Sequence, residues 1–190
     1  MLNLTRYNLQ LAGAGLLIGI GLGALFVFGV FRQDSVNWGR SDKQGAAPVL
    51  PEVGSAAPKF ELNNLSGETV NFDHLVGQPL VINFWATWCG PCRLEMPLLQ
   101  EYHQKFGSDL TIIAVNTGET SEDVQAYVDE LELDLPILLD EQKKVEEMYR
   151  VRGLPSTYFV SEDGIIRFVH IGILTESQLQ GYLDEIGVIE

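Results

Sequence analysis

The chain has few cysteines, few basic residues and few histidines, and each shortage argues against a class of protein. Only two of its 190 residues are cysteine, too few for the disulfide framework that holds small secreted domains together. Lys and Arg number 12 against 26 Asp and Glu, for a formal net charge of -14. Nucleic-acid binding needs clustered basic residues, so we expect no nucleic-acid partner. The histidines, His74, His103 and His170, show no paired spacing and predict no metal site, because structural zinc needs four ligands.

Charge is also absent from residues 11–31, which read LAGAGLLIGIGLGALFVFGVF. This stretch is long enough to cross a membrane as a helix and longer than the apolar region of a cleaved signal peptide. It predicts a single-pass transmembrane signal anchor after a short flank, residues 1–10, with a cleaved signal as the alternative. Gly15, Gly19 and Gly23 would share one helix face, a spacing that lets two helices approach closely. A homodimer through the transmembrane helix is therefore a further hypothesis.

Residues 32–51 predict a linker between this anchor and a folded domain. They contain Gly, Pro, Ser, Asp and Gln without sustained periodicity. Arg32, Arg40 and Lys43 follow the span, so the count of positive charges does not favour a cytoplasmic N-terminus. We still expect the N-terminus inside and the domain on the extracytoplasmic side of the cell membrane, because of the cysteine chemistry described below.

Residues 52–190 predict one α/β domain in which strands and helices alternate. Alternating apolar and polar residues on both sides of LSGE, at 65–68, predict an added N-terminal β-hairpin. PLVINFW, at 79–85, and LTIIAVNT, at 110–117, are apolar enough to be strands buried on both faces. The turn signal SEDG, at 161–164, separates two antiparallel strands near the end. The expected architecture is a mixed central sheet flanked by helices.

Helix positions follow from apolar spacing and from capping signals. Apolar residues at helical spacing, Leu94 among them, predict a helix from Cys89 to Phe106. SEDV predicts a second helix, with Ser121 as its N-cap and carboxylates in its first turn. TESQ begins a last helix at Thr175 with the signature of a capping box.

The two cysteines, Cys89 and Cys92, stand where a buried strand ends and a helix begins. Helix N-termini carry unpaired N–H groups and a partial positive charge, and both stabilise a thiolate. Pro91 falls in the first turn, where a missing N–H is tolerated. An attacking thiolate at Cys89 and a shielded second thiol one turn behind it would supply the two parts that thiol–disulfide exchange needs.

Other roles for the pair fit the surrounding residues less well. A structural disulfide this short would close almost no loop and remove little entropy from the unfolded chain. A peroxidatic cysteine normally has Pro-x-x-x-Thr/Ser-x-x-Cys around it, and the matching positions before Cys89 are Ile82 and Ala86. A thiol-dependent peroxidase and a non-catalytic binding module that keeps the fold stay open as alternatives.

Several motifs, in the right order, resemble the thioredoxin fold and, more closely, the TlpA/ResA-type membrane-anchored thiol–disulfide oxidoreductases. FWATWCGPC at 84–92, Pro97 in the following helix and GLPST at 153–157 match the fold. The N-terminal anchor, the run of sequence from 53 to 97 and an acidic residue three positions after the second cysteine match the TlpA/ResA type. The resemblance covers residues 52–190.

The resemblance implies roles for the residues of the site. Cys89 would be the nucleophile and Cys92 the resolving thiol. Ordinary thioredoxins carry a buried Asp six residues before the first cysteine, where this chain has Asn83. Glu95 would replace that Asp as the general base, with a plain surface position as the alternative. The residues expected to contact substrate are Trp88, Gly90, Pro91, Leu154 and Pro155.

The resemblance also implies partners. The Leu154–Pro155 bond would match the family's cis-proline and expose backbone for strand addition by an extended substrate, with an ordinary trans proline as the alternative. The substrate would be a disulfide-containing protein, apocytochrome c being one candidate and general envelope disulfides another. An integral-membrane thiol carrier would supply the electrons. We expect no cofactor beyond the redox-active disulfide of Cys89 and Cys92.

Overall fold

The computed structural model describes residues 51–188. The predicted flank, the anchor and almost all of the linker, residues 1–50, lie outside the described residues, as do the last two residues of the chain. Within the part that is described, no helix is both long and apolar enough to span a membrane. The structure therefore concerns the domain that the sequence places after residue 51.

Seven strands form one mixed sheet. In chain order they are β1 (Glu61–Asn64), β2 (Thr69–Asn71), β3 (Leu80–Trp85), β4 (Thr111–Thr117), β5 (Ile137–Asp140), β6 (Ser156–Val160) and β7 (Ile166–Ile171). Across the sheet they lie in the order β2-β1-β5-β4-β3-β6-β7. The three strands β3, β4 and β5 are parallel to one another, and the remaining pairs are antiparallel. The predicted N-terminal hairpin (β1–β2) and the predicted mixed sheet are both confirmed.

The described residues also contain four α-helices and two short 3-10 helices. The α-helices are α1 (Gly90–Phe106), α2 (Ser121–Glu130), α3 (Lys144–Met148) and α4 (Glu176–Glu185), and the 3-10 helices are Phe72–His74 and Gly107–Asp109. Helix α4 begins with the predicted capping box, formed by Thr175 and Gln178.

The predicted cap of α2 was wrong by one residue. Thr120, not Ser121, is the N-cap: its backbone is extended (φ -75°, ψ 155°), and its hydroxyl accepts from the N–H of Asp123. Ser121 already belongs to the helix. The cap has to be the residue that leaves helical geometry while still reaching the third N–H, and only Thr120 meets both conditions.

The apolar core covers both faces of β3, which is buried along its whole length. Val81 and Trp85 pack in a cluster with apolar residues of α1, α2 and α4. Ile82 and Phe84 point to the other face and pack with Tyr149 and the hairpin side of the domain. Burying one such side chain contributes about 1.5–3 kcal/mol, so β3 is held firmly between two layers.

The buried face of α1 differs from the prediction at one position. Its buried side chains are those of Cys92, Glu95, Met96, Leu99 and Tyr102. Leu94 was expected to belong to this face but is 72% exposed. Residues two apart in a helix do not share a face, and position 94 lies two residues from both position 92 and position 96.

Candidate active site

The site begins where β3 ends and α1 starts. Cys89 is the N-cap of α1, with an extended backbone (φ -83°, ψ 100°), and its Sγ accepts from the N–H of Cys92 at 3.3 Å. The two cysteines form a disulfide, with 5.3 Å between their Cα atoms. The N–H that points at Sγ would also stabilise a thiolate there once the disulfide is reduced.

The two cysteines differ in access. Cys92 is fully buried and Cys89 retains 4% exposure, so an incoming sulfur has a path only to Cys89. Trp88, immediately before it, is 70% exposed. Gly90 and Pro91 are exposed as well. The residues on both sides of Cys89 in the sequence are therefore exposed, and their contact with substrate stays a prediction.

The Leu154–Pro155 bond is cis, which is the isomer that the resemblance implied. Antiparallel pairing places Ser156 opposite Phe84, so Pro155 lies beside the segment that runs from β3 to Cys89. The C=O of Pro155 accepts from Gly172. Within residues 51–188 the backbone N–H and C=O of Leu154 have no hydrogen-bond partner, and they are free to pair with an extended peptide.

Glu95 lies in the core one turn after Cys92. Its side chain is only 1% exposed, so the alternative of a plain surface residue is wrong. One carboxylate oxygen, Oε1, accepts from Nδ2 of Asn83 at 2.7 Å, and the other, Oε2, accepts from the N–H of Leu174 at 2.9 Å. Burial raises the pKa of this carboxyl to about 7, against the lowering effect of the two hydrogen bonds. A carboxyl group with that pKa can take up and release a proton near neutral pH.

Asn83 connects this carboxylate to the sheet. It lies on β3 with no exposed surface, and its Nδ2 also donates to Oγ1 of Thr157 at 3.0 Å. Its Oδ1 has no hydrogen-bond partner among the described residues. The amide therefore acts toward Glu95 as a donor and cannot itself accept a proton as the Asp of ordinary thioredoxins can.

The sequence reasoning missed one side chain at the site, that of Glu119. It follows β4, and its carboxylate accepts from the N–H of Thr87 at 2.7 Å. The available signal was topological: β3 and β4 were both predicted as buried strands, and parallel neighbours end at the same edge of a sheet. Among residues 51–188 no group of three or more His, Cys, Asp or Glu side chains is placed to hold a metal ion.

A thioredoxin-like sheet with a dithiol pair of unequal access at the start of α1 defines the class: the protein is a thiol–disulfide oxidoreductase of the thioredoxin superfamily. Exchange through a pair of this kind needs one reachable sulfur and one held in reserve. The chain belongs to the AhpC/TSA family, whose family model matches residues 53–169, and its resemblance to the ResA-type oxidoreductases is confirmed by its relatives.

Two curated bacterial proteins illustrate that likeness. The chain is 39% identical over 136 residues to thioredoxin-like protein YneN of Bacillus subtilis, covering 70% of this chain and 79% of that protein. It is 37% identical over 139 residues to thiol-disulfide oxidoreductase ResA of Oceanobacillus iheyensis, covering 70% of this chain and 72% of that protein. Among solved structures, StoA from Bacillus subtilis has a similar fold, with a TM-score of 0.58 and 25% identity over 66% of this chain and 96% of StoA.

Proposed function

We propose that the protein is a membrane-tethered reductant of protein disulfides on the extracytoplasmic side of the cell membrane. The observation that carries the proposal is the asymmetry of the pair. Cys89 holds the only exposed surface of the disulfide, while Cys92 is fully buried and lies one helical turn before the buried carboxyl of Glu95. In this proposal Cys89 attacks the substrate, Cys92 resolves the mixed disulfide, and Glu95 takes the proton.

The proposed cycle starts from the reduced pair. The Cys89 thiolate attacks one sulfur of a substrate disulfide, forms a mixed disulfide and expels the other substrate sulfur as a thiolate. Glu95 takes the proton of Cys92, and the Cys92 thiolate then attacks Sγ of Cys89. The second substrate sulfur leaves as a thiolate, so the substrate has gained two electrons and the pair has been oxidised to the disulfide. The chain needs no metal or nucleotide for these steps.

Reduction is the favoured direction because of the residues between the cysteines. Gly90 and Pro91 are the dipeptide of thioredoxin, whose potential is about -270 mV, against about -120 mV for a strongly oxidising relative of the same fold. A reductant in an oxidising compartment has to be recharged. We propose an integral-membrane thiol carrier as that donor.

The tether is the uncharged segment at 11–31, followed by the linker at 32–51. It would keep the domain beside its donor, and the glycines at 15, 19 and 23 would allow two anchors to pair. For the substrate we propose apocytochrome c, whose two C-x-x-C-H thiols must be reduced before haem attachment. Support for this choice comes from the ResA-type likeness.

A trapping experiment in cells tests the proposal. Full-length Cys92→Ser should accumulate a mixed disulfide through Cys89 that dithiothreitol releases, and mass spectrometry would identify the partner. Cys89→Ser is the matched control and should capture nothing. Capture by Cys89→Ser alone would reverse the two roles. Capture of a spectrum of envelope proteins without apocytochrome c would replace the specific substrate by general disulfide reduction.

Activity assays on the purified full-length protein distinguish the reductase from the two alternatives, a peroxidase and a non-catalytic binding module. We expect turnover of insulin disulfides with a dithiol donor. Faster turnover of hydroperoxide than of insulin would favour a peroxidase. No turnover of either, together with an alkylation half-point at or above the ordinary thiol pKa of about 8.5, would favour a binding module.

A further inference from the structure

The carboxylate of Glu119 is bonded to the loop that carries the nucleophilic cysteine. Its Oε2 accepts from the backbone N–H of Thr87 at 2.7 Å, and its Oε1 accepts from the hydroxyl of the same threonine. Thr87 stands two residues before Cys89, whereas Glu119 belongs to the turn between β4 and α2. One side chain thereby ties the end of β4 to the segment after β3.

A third hydrogen bond holds the carboxylate from the sheet side. Oε2 also accepts from Nδ2 of Asn116 at 2.7 Å. Asn116 has no exposed surface, and its Oδ1 has no partner among the described residues. The donor end of this buried amide is therefore the end that faces the carboxylate of Glu119.

The negative charge of Glu119 is not neutralised by a cation. All three of its donors are neutral groups, and no Lys, Arg or His within residues 51–188 forms an ion pair with it. The side chain is only half-buried. Burial is the main reason that the pKa of Tyr127, whose ring packs against Trp85, is raised, and the charge of Glu119 adds a smaller contribution in the same direction.

The backbone fixes where this charge lies. Gly118, the residue before it, has φ +75° and donates its N–H to the C=O of Asp140 at 2.9 Å. The side chain of Lys143 occupies the space where a Cβ on Gly118 would project. The conformation of Gly118 and its bond to Asp140 thus fix the turn from which the side chain of Glu119 reaches Thr87.

We propose that Glu119 is a positioning residue of the redox site, which fixes the Thr87–Trp88 segment by hydrogen bonds and disfavours the Cys89 thiolate by its uncompensated charge. The inference rests on the proposed reductase function. A negative charge near a thiol raises the thiol pKa and destabilises the reduced, ionised form. Glu119 would therefore hold the pair at a lower, more reducing potential than the same loop would have without it.

Two variants separate the charge from the bonds. Glu119→Gln removes the charge, while its amide oxygen can still accept from Thr87 and Asn116 and its NH₂ can donate to the hydroxyl of Thr87. Thr87→Val removes only the hydroxyl bond and leaves the charge in place, and Thr87→Ser should restore that bond. Glu122→Gln is the matched control, because it removes an exposed carboxylate three residues further on that makes no contact with Thr87.

The test uses the full-length chain. It measures the pH dependence of Cys89 alkylation in the reduced protein and the midpoint potential of the Cys89–Cys92 couple. For Glu119→Gln we expect an alkylation half-point lower by about 0.5 pH unit, which is about threefold more thiolate below the pKa, and a less reducing potential. Thr87→Val should keep the wild-type half-point but reduce insulin about threefold more slowly, and Thr87→Ser should recover the rate. Glu122→Gln should match the wild type throughout.

Equal half-points and potentials for Glu119→Gln, Glu122→Gln and the wild type would overturn the inference. So would a shift of the same size in Glu122→Gln, since that would reflect overall charge alone. If the wild type does not reduce insulin at all, the proposed function fails. The alkylation titration still decides whether Glu119 controls Cys89, so the two failures can be told apart.

Discussion

Nδ2 of Asn83 lies 2.7 Å from Oε1 of Glu95, and the bond joins β3 to α1 inside the core. The other oxygen of Glu95 is held by the N–H of Leu174, in the loop before α4. Both bonds favour the ionised carboxylate, yet burial dominates and raises the pKa to about 7. The site therefore contains a carboxyl group whose proton affinity is set near neutrality by its position in the core.

Glu95→Gln should slow the second step of exchange and leave the first nearly unchanged. Gln has the same size but cannot take the proton of Cys92, and loss of a general base typically lowers a rate by about 10²-fold or more. Quenched-flow with a disulfide peptide would follow the mixed disulfide, which should form at the wild-type rate and then persist. Decay as fast as in the wild type would remove Glu95 from the mechanism.

The same carboxyl group should make stability depend on pH. Its pKa rises from 4.5 to about 7 on folding, so the folded protein binds the proton more tightly. This contribution is fully present below pH 4.5 and is lost as the pH rises through about 7. Linkage puts the loss between pH 5 and pH 8 at about 2–3 kcal/mol.

Urea unfolding of the oxidised protein would measure this dependence. The wild type should lose stability relative to Glu95→Gln as the pH is raised from 5 to 8, because the glutamine has no proton to release. Parallel pH curves for the two proteins would show that Glu95 does not titrate in this range.

Labelling of the reduced protein should distinguish the two cysteines. Cys92 has no exposed surface and Cys89 has a little, so brief treatment with iodoacetamide should modify Cys89 alone. Peptide mapping by mass spectrometry would locate the label, and labelling in denaturant, where both cysteines react, is the control. Equal labelling under native conditions would mean that reduction opens the core around α1.

Gly118→Ala should destabilise the fold through two separable effects. The positive φ of +75° costs an L-residue about 1 kcal/mol, and the new methyl group would meet the side chain of Lys143. A double-mutant cycle with Lys143→Ala should recover the contact part and leave the backbone part. Denaturant midpoints for the four proteins would give both, and additivity would show that Lys143 simply moves aside.

Much of this fold could be predicted because burial leaves a strong pattern. Strands β3 and β4 are buried on both faces, which permits few polar positions and produces long apolar runs. The cap of α2 was harder, since Thr120 and Ser121 are adjacent hydroxyl residues and only backbone dihedrals choose between them. Leu94 was misplaced because apolar character alone does not fix the face of a helix.

The residues of the site also differ in how well the sequence predicts their positions. Glu95 could be placed near Cys92 because three residues make almost one helical turn. Glu119 was missed, since its bonds cross 32 positions of sequence and sequence spacing does not show them. They exist because β3 and β4 pair in parallel with Trp85 opposite Asn116. Sequence spacing carries contacts within one element, whereas contacts between elements depend on register.

The position of β3 in the sheet has a consequence for how the protein loses activity on heating. It is hydrogen bonded on both sides, to β4 and to β6, and none of its residues is exposed. Amides in such a strand exchange with solvent only when the whole domain opens. The loop that carries Cys89 is attached to this strand, so heat should abolish catalysis and structure together, with no inactive intermediate that still looks folded.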